Sequence, residues 1–105
     1  MTSDPDRARA LLALAERVCA EEPTIGLAAD LFNAGIPVEC LTSRDAAAGA
    51  MPEGWRIGHI AQDEDVFCVE AYREEPDNFA SATAPDEPRA RSAAALRAMA
   101  AEVGA

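Results

Sequence analysis

The sequence predicts one α+β domain, a small antiparallel β-hairpin or sheet packed with an N-terminal and a C-terminal helix. Two changes of period carry this expectation. Apolar residues recur at three- and four-residue spacing near both ends of the chain, and they alternate in between, after Trp55. The length of 105 residues is that of a common single domain, able to bury roughly two thirds of its unfolded surface without metals or disulfides. Residues 1–105 are read as one unit.

A first helix is expected over residues 5–20, with Asp4 as cap and Pro5 at the first helical position, where its missing N–H costs nothing. Ala8, Leu11, Leu12, Ala15, Val18 and Cys19 form its apolar stripe, and Arg9 and Glu16 its wet side. A second helix should run from Ile25 to Asn33 behind a Thr24 cap, burying Leu27, Ala28, Leu31 and Phe32. Gly35 suits the left-handed position after it, and Pro37 prevents continuation. Residues 36–41 read as short and extended, and Ser43 as the cap of a helical turn over 44–51.

From Trp55 onward the alternation marks strands. Trp55, Ile57 and His59 should share one side, and residues 66–72 form the return strand of a hairpin turning through Gln62–Asp65. That second strand is apolar on much of both faces, so helices are expected over parts of the sheet. Residues 74–88, rich in proline and acids, read as an irregular crossover. A last helix starts near 86–89 and ends about Val103, with Ala93, Leu96, Ala100 and Val103 as its stripe and Met99 beside it. Large side chains are few, so the core is expected to lean on Leu11, Leu12, Leu14, Leu31, Phe32, Trp55, Phe67, Tyr72, Phe79 and Leu96.

The net charge is −10, and all nine basic residues are arginine. With the alanine excess, this arginine usage suits a GC-rich bacterial or phage genome. Nine acids fall within residues 61–87 (Asp63, Glu64, Asp65, Glu70, Glu74, Glu75, Asp77, Asp86, Glu87) against Arg73 alone. Phosphates would be repelled, so nucleic acid is not expected as a direct partner. A basic protein surface would be attracted. Solvation of ordinary loop acids is the other reading the pattern leaves open. No stretch approaches the roughly 20 apolar residues of a membrane span. The start, MTSDPDRARA, has no apolar signal region. Three cysteines without a CxxC pair (Cys19, Cys40, Cys68) suit a reducing bacterial cytoplasm.

Catalysis would need a nucleophile, a base and an orienting group within mutual reach. The one histidine, His59, can meet Cys40 or Cys68 only in space, with no local signature around any of them. Zinc at Cys40, His59 and Cys68 lacks the paired spacing of structural sites. Asp63, Glu64 and Asp65 lack the alternation and central glycine of a calcium loop. No enzyme activity, metal or cofactor is expected. In the turn PEGW, Gly54 permits the bend and Trp55 anchors the first strand.

The run LTSRDAAAGAMPEGW, Leu41 to Trp55, resembles the core of the phage ABA-sandwich domain family of small phage and prophage proteins. The matching positions are Thr42, Ser43, Asp45, Ala46, Ala47, Pro52, Glu53, Gly54 and Trp55. The closing run Ala93-Ala94-Ala95-Leu96-Arg97-Ala98 is similar to that family's ending, whereas Cys40-Leu41 replaces its usual proline and tyrosine. The resemblance implies α/β/α layering and a phage-type origin, and it brings no catalytic residues.

Size, acidity and resemblance together lead to the expectation of a binding protein. It would inhibit a host nucleic-acid-handling defence complex, in the anti-CRISPR or anti-restriction manner, by occupying its basic surface. Asp63, Glu64, Asp65, Glu70, Glu74, Glu75 and Asp77 would stand where phosphates normally sit, meeting arginines of the partner. The alternative is an accessory phage structural or assembly protein. It would dock or homodimerise through apolar helix contacts, with Met99, Met51 or Phe79 as candidate surface.

Overall fold

The computed structural model describes residues 4–20, 24–73 and 78–104. In chain order the elements are α1 (Pro5–Ala20), α2 (Ile25–Asn33), a 3₁₀ turn (Val38–Leu41), α3 (Arg44–Ala48), β1 (Arg56–Asp63), β2 (Val66–Arg73), β3 (Asn78–Ala84) and α4 (Glu87–Gly104). The strands form one antiparallel sheet in the order β1-β2-β3. The fold is α+β, with the sheet packed against the N-terminal and C-terminal helices.

The helix boundaries follow from their caps. Asp4 accepts the Arg7 amide at 3.0 Å, Thr24 the Leu27 amide at 3.0 Å, Ser43 the Ala46 amide at 3.2 Å and Asp86 the Arg89 amide at 2.9 Å. Each satisfies an amide that the first helical turn leaves without a carbonyl. Gly35 takes φ 94° after α2, the left-handed geometry that releases the chain from a helix.

Helix α4 is central. Its residues from Ala90 to Ala100 are buried on almost every side, including Ala90, Ser92, Ala93, Ala94, Ala95, Leu96 and Ala98. It touches α1, α3, the 3₁₀ turn, β2 and β3. A single stripe of Ala93, Leu96, Ala100 and Val103 therefore understates it. Two polar residues are buried with it and satisfied. Ser92 donates to the Cys40 carbonyl at 2.9 Å. Arg89 donates from Nε to the Val18 carbonyl at 2.9 Å, tying down a carbonyl in the last turn of α1.

The sheet offers α4 a face of small residues. Val69 and Ala71 of β2 and Ala80, Ala82 and Ala84 of β3 are buried. Strand β3 lies in the segment expected to be an irregular crossover. Its sequence NFASATA puts alanine, a poor strand former, at every second position. Those alanines are inward, where α4 leaves no room for larger side chains. The described helices lie on this one face, and the opposite face of the sheet is open among the described residues. The helix cover expected over parts of the sheet from the apolar character of β2 is present, on this one face among the described elements.

Three further expectations change. Residues 38–41 form a 3₁₀ turn, not an extended segment. Leu12, Phe32 and Phe79 stay exposed, while Leu27, Ile36 and Leu41 fill the core. Ile57 and His59 do not share a side, because the ladder shifts register between them. Gly58 is the extra residue of this bulge. A Cβ there would sit 2.9 Å from the Tyr72 ring, so the bulge needs a residue without one.

Ala98, fully buried against Trp55, Ala71 and Ala80, measures how tightly α4 meets the sheet. Ala98→Leu should destabilise by about 1–3 kcal/mol through overpacking, read as a lower urea midpoint. An unchanged midpoint would mean that this contact is loose.

Candidate functional site

The open face of the sheet is built from alternate residues of three strands. Cross-strand pairing sets Arg56 beside Tyr72 and Phe79, then His59 beside Glu70 and Ser81, then Ala61 beside Cys68 and Thr83. Phe79 is 58% exposed there. Glu70 is half-buried in mid-sheet, and directly opposed side chains stand roughly 5 Å apart at Cβ. His59 and Cys68 share this face, whereas Cys40 lies in the core, its Sγ 3.4 Å from the Ala46 carbonyl. Among the described residues, no group of three or more His, Cys, Asp or Glu is placed to hold a metal ion.

The hairpin tip continues this face. Asp63 and Val66 close a two-residue turn, Glu64-Asp65, in which Glu64 takes φ 54°. This left-handed position costs a residue with a side chain roughly 1–2 kcal/mol relative to glycine. Asp63, Glu64 and Asp65 are all exposed. No hydrogen bond or ion pair with another described residue engages their carboxylates.

Of the seven carboxylates expected to meet a partner, the structure gathers Asp63, Glu64 and Asp65 at this tip. Glu70 stands four residues along β2, roughly 13 Å away at strand spacing. Glu74, Glu75 and Asp77 lie outside the described residues. Asp86 and Glu87 lie off the tip end of β3 but are engaged, Asp86 in capping α4 and Glu87 with Arg91 at 2.9 Å.

At the other end of the sheet, Trp55 secures the PEGW turn. Its Nε1 donates to Glu102 Oε1 at 2.8 Å, and the Arg73 guanidinium lies over its ring at 5.4 Å. Arg73 also pairs with Glu102. The indole and guanidinium donors hold the Glu102 carboxyl below its ordinary value of 4.5. Burial pushes the Cys19 and Cys40 thiols up, which leaves them poor nucleophiles at neutral pH.

A second exposed feature escaped the sequence reading. Ile25 is 91% exposed and Phe32 is 74% exposed, one at each end of α2. The signal was present: this nine-residue helix carries Ile25, Leu27, Ala28, Leu31 and Phe32, more apolar residues than a single buried face can take.

No protein-family model, curated protein or solved structure matches the chain. Among the described residues, no helix is long and apolar enough to cross a membrane.

The lowered Glu102 value has a definite sign. The group stabilises the fold above its unfolded value near 4.5, and that contribution is lost as pH falls through its lower folded value. Glu102→Gln should lower the urea midpoint at neutral pH, and the deficit should shrink as pH falls below the ordinary carboxyl value of 4.5 and through the lowered folded value. An equal deficit at neutral and acidic pH would remove the carboxylate from this role.

Proposed function

We propose that this chain is a small acidic binding protein whose hairpin tip docks on the basic surface of another protein. The observation that carries the reading is the run Asp63-Glu64-Asp65, three exposed carboxylates with no described partner, held on a two-residue turn between paired strands. A tight turn costs little ordering entropy on binding. Its carboxylates can accept paired hydrogen bonds from arginines that otherwise hold phosphate. The partner class proposed is a host nucleic-acid-handling defence complex, inhibited in the anti-CRISPR or anti-restriction manner within a bacterial cytoplasm. Nucleic acid itself is not bound, and no catalytic step is involved. The likeness of Leu41–Trp55 to the phage family supports the phage-type setting.

The test is inhibition of DNA cleavage by a panel of CRISPR effectors and restriction enzymes. Wild type should inhibit at least one of them, and less strongly as salt rises. The variant Asp63→Arg/Glu64→Arg/Asp65→Arg should lose that inhibition while keeping its circular dichroism. Retained inhibition by a folded triple variant would refute the reading.

The assembly reading keeps a place because of α2. Ile25 and Phe32 expose an apolar pair suited to insertion into a hydrophobic groove. If a phage subunit is the partner, Ile25→Ser/Phe32→Ser should weaken that complex and the tip variant should leave it intact.

A further inference from the structure

The two edges of the sheet are unlike. An edge strand presents unpaired amides and carbonyls to any strand that can reach them. On β3, Phe79, Ser81 and Thr83 turn these groups away from β2, as the contact of the Ser81 carbonyl with the Arg97 guanidinium requires. Two of the three are engaged: the Phe79 amide donates to Asn78 Oδ1 at 2.8 Å, and Arg97 donates to the Ser81 carbonyl. Helix α1 also lies against β3.

Strand β1 has none of this. Its only neighbour among the described elements is β2. Following the same alternation across β2, residues 59, 61 and 63 turn their backbone groups to β2, and Ile57, Ile60 and Gln62 turn theirs outward. No described residue meets those outward groups.

We infer that the free edge of β1 pairs with β1 of a second copy, antiparallel about a two-fold axis through Ile60, to make a six-stranded sheet. Two independent features select this occupant and this register. The first is overlap. Because Gly58 is the extra residue of the bulge, Arg56 and Asp63 lie equally far from Ile60 along the ladder. An axis at Ile60 therefore pairs the strand over its whole length. The second is charge. The same axis sets Arg56 of each copy directly opposite Asp63 of the other, on the same open face. Arg56 and Asp63 are both exposed and have no described partner within their own chain. Moving the axis to Gln62 would instead bring the two acidic tips together, and like charges in register oppose pairing. The remaining opposed residues tolerate one another: Ile57 meets Gln62, and His59 meets Ala61. The inference does not rest on the inhibitory role proposed above, because each tip keeps Glu64 and Asp65 for another partner.

Sedimentation equilibrium of the full chain at low salt, with amide hydrogen exchange at several protein concentrations, tests the inference. A monomer–dimer equilibrium is expected, with the Ile60 and Gln62 amides protected more as concentration rises. Gln62→Pro removes only an outward donor and should give a monomer. Arg56→Asp should weaken the dimer about tenfold or more, and Arg56→Asp/Asp63→Arg should restore it. The double variant answers the question even if Gln62→Pro fails to fold. A chain that stays monomeric near millimolar concentration would overturn the inference. So would a dimer that Arg56→Asp leaves intact, or one lost with Phe32→Ser and not with the β1 variants. None of these readouts depends on nuclease inhibition, so the two readings fail separately.

Discussion

The close approach of α4 to its neighbours is the constraint on which the structure depends. An alanine-rich helix has little side-chain volume to bury, so it must bring its backbone near every partner to gain dispersion contacts. The sheet answers with alanines of its own at Ala71, Ala80, Ala82 and Ala84, and α1 closes over another side. Larger residues enter from the periphery: Leu27 and Leu31 of α2, Ile36 and Leu41. Arg89 and Ser92 are tolerated in this interior because each reaches a backbone carbonyl left over by another segment.

That constraint also shapes the surface. Since α4 and its flanking helices occupy one side of the sheet, the other side is uncovered among the described residues, with His59, Glu70, Tyr72 and Phe79 on it. The two ends of the sheet differ in character. The Trp55–Arg73–Glu102 cluster neutralises its own charges, whereas the Asp63–Asp65 tip leaves its carboxylates to solvent or to a partner. The edges differ in the same way, one engaged by side chains and one left open.

Much of this order was legible beforehand where a local rule governs it. Asp4, Thr24, Ser43 and Gly35 act where their chemistry said they would, because a helix end has fixed needs for donors and acceptors. The hairpin and the exposure of Asp63, Glu64 and Asp65 followed from alternation and an acidic turn. Strand β3 did not, because its alanines are strand residues only in the presence of α4. Phe32 and Phe79 misled in the opposite direction, since size and apolarity fill a core only if the backbone turns them inward. The register shift at Gly58, which separates Ile57 from His59, depends on the Tyr72 ring of the neighbouring strand.

By itself, the sequence determined where helices begin and end, that a hairpin lies between them, and that the carboxylates after Ile60 outnumber nearby arginines. These properties depend on neighbours within a few residues. Only the tertiary structure decided which carboxylates stand together, which face of the sheet is open and which edge is closed. Those outcomes depend on contacts between residues distant in the chain, such as Arg97 with Ser81 or Trp55 with Glu102, and no local pattern encodes such pairings.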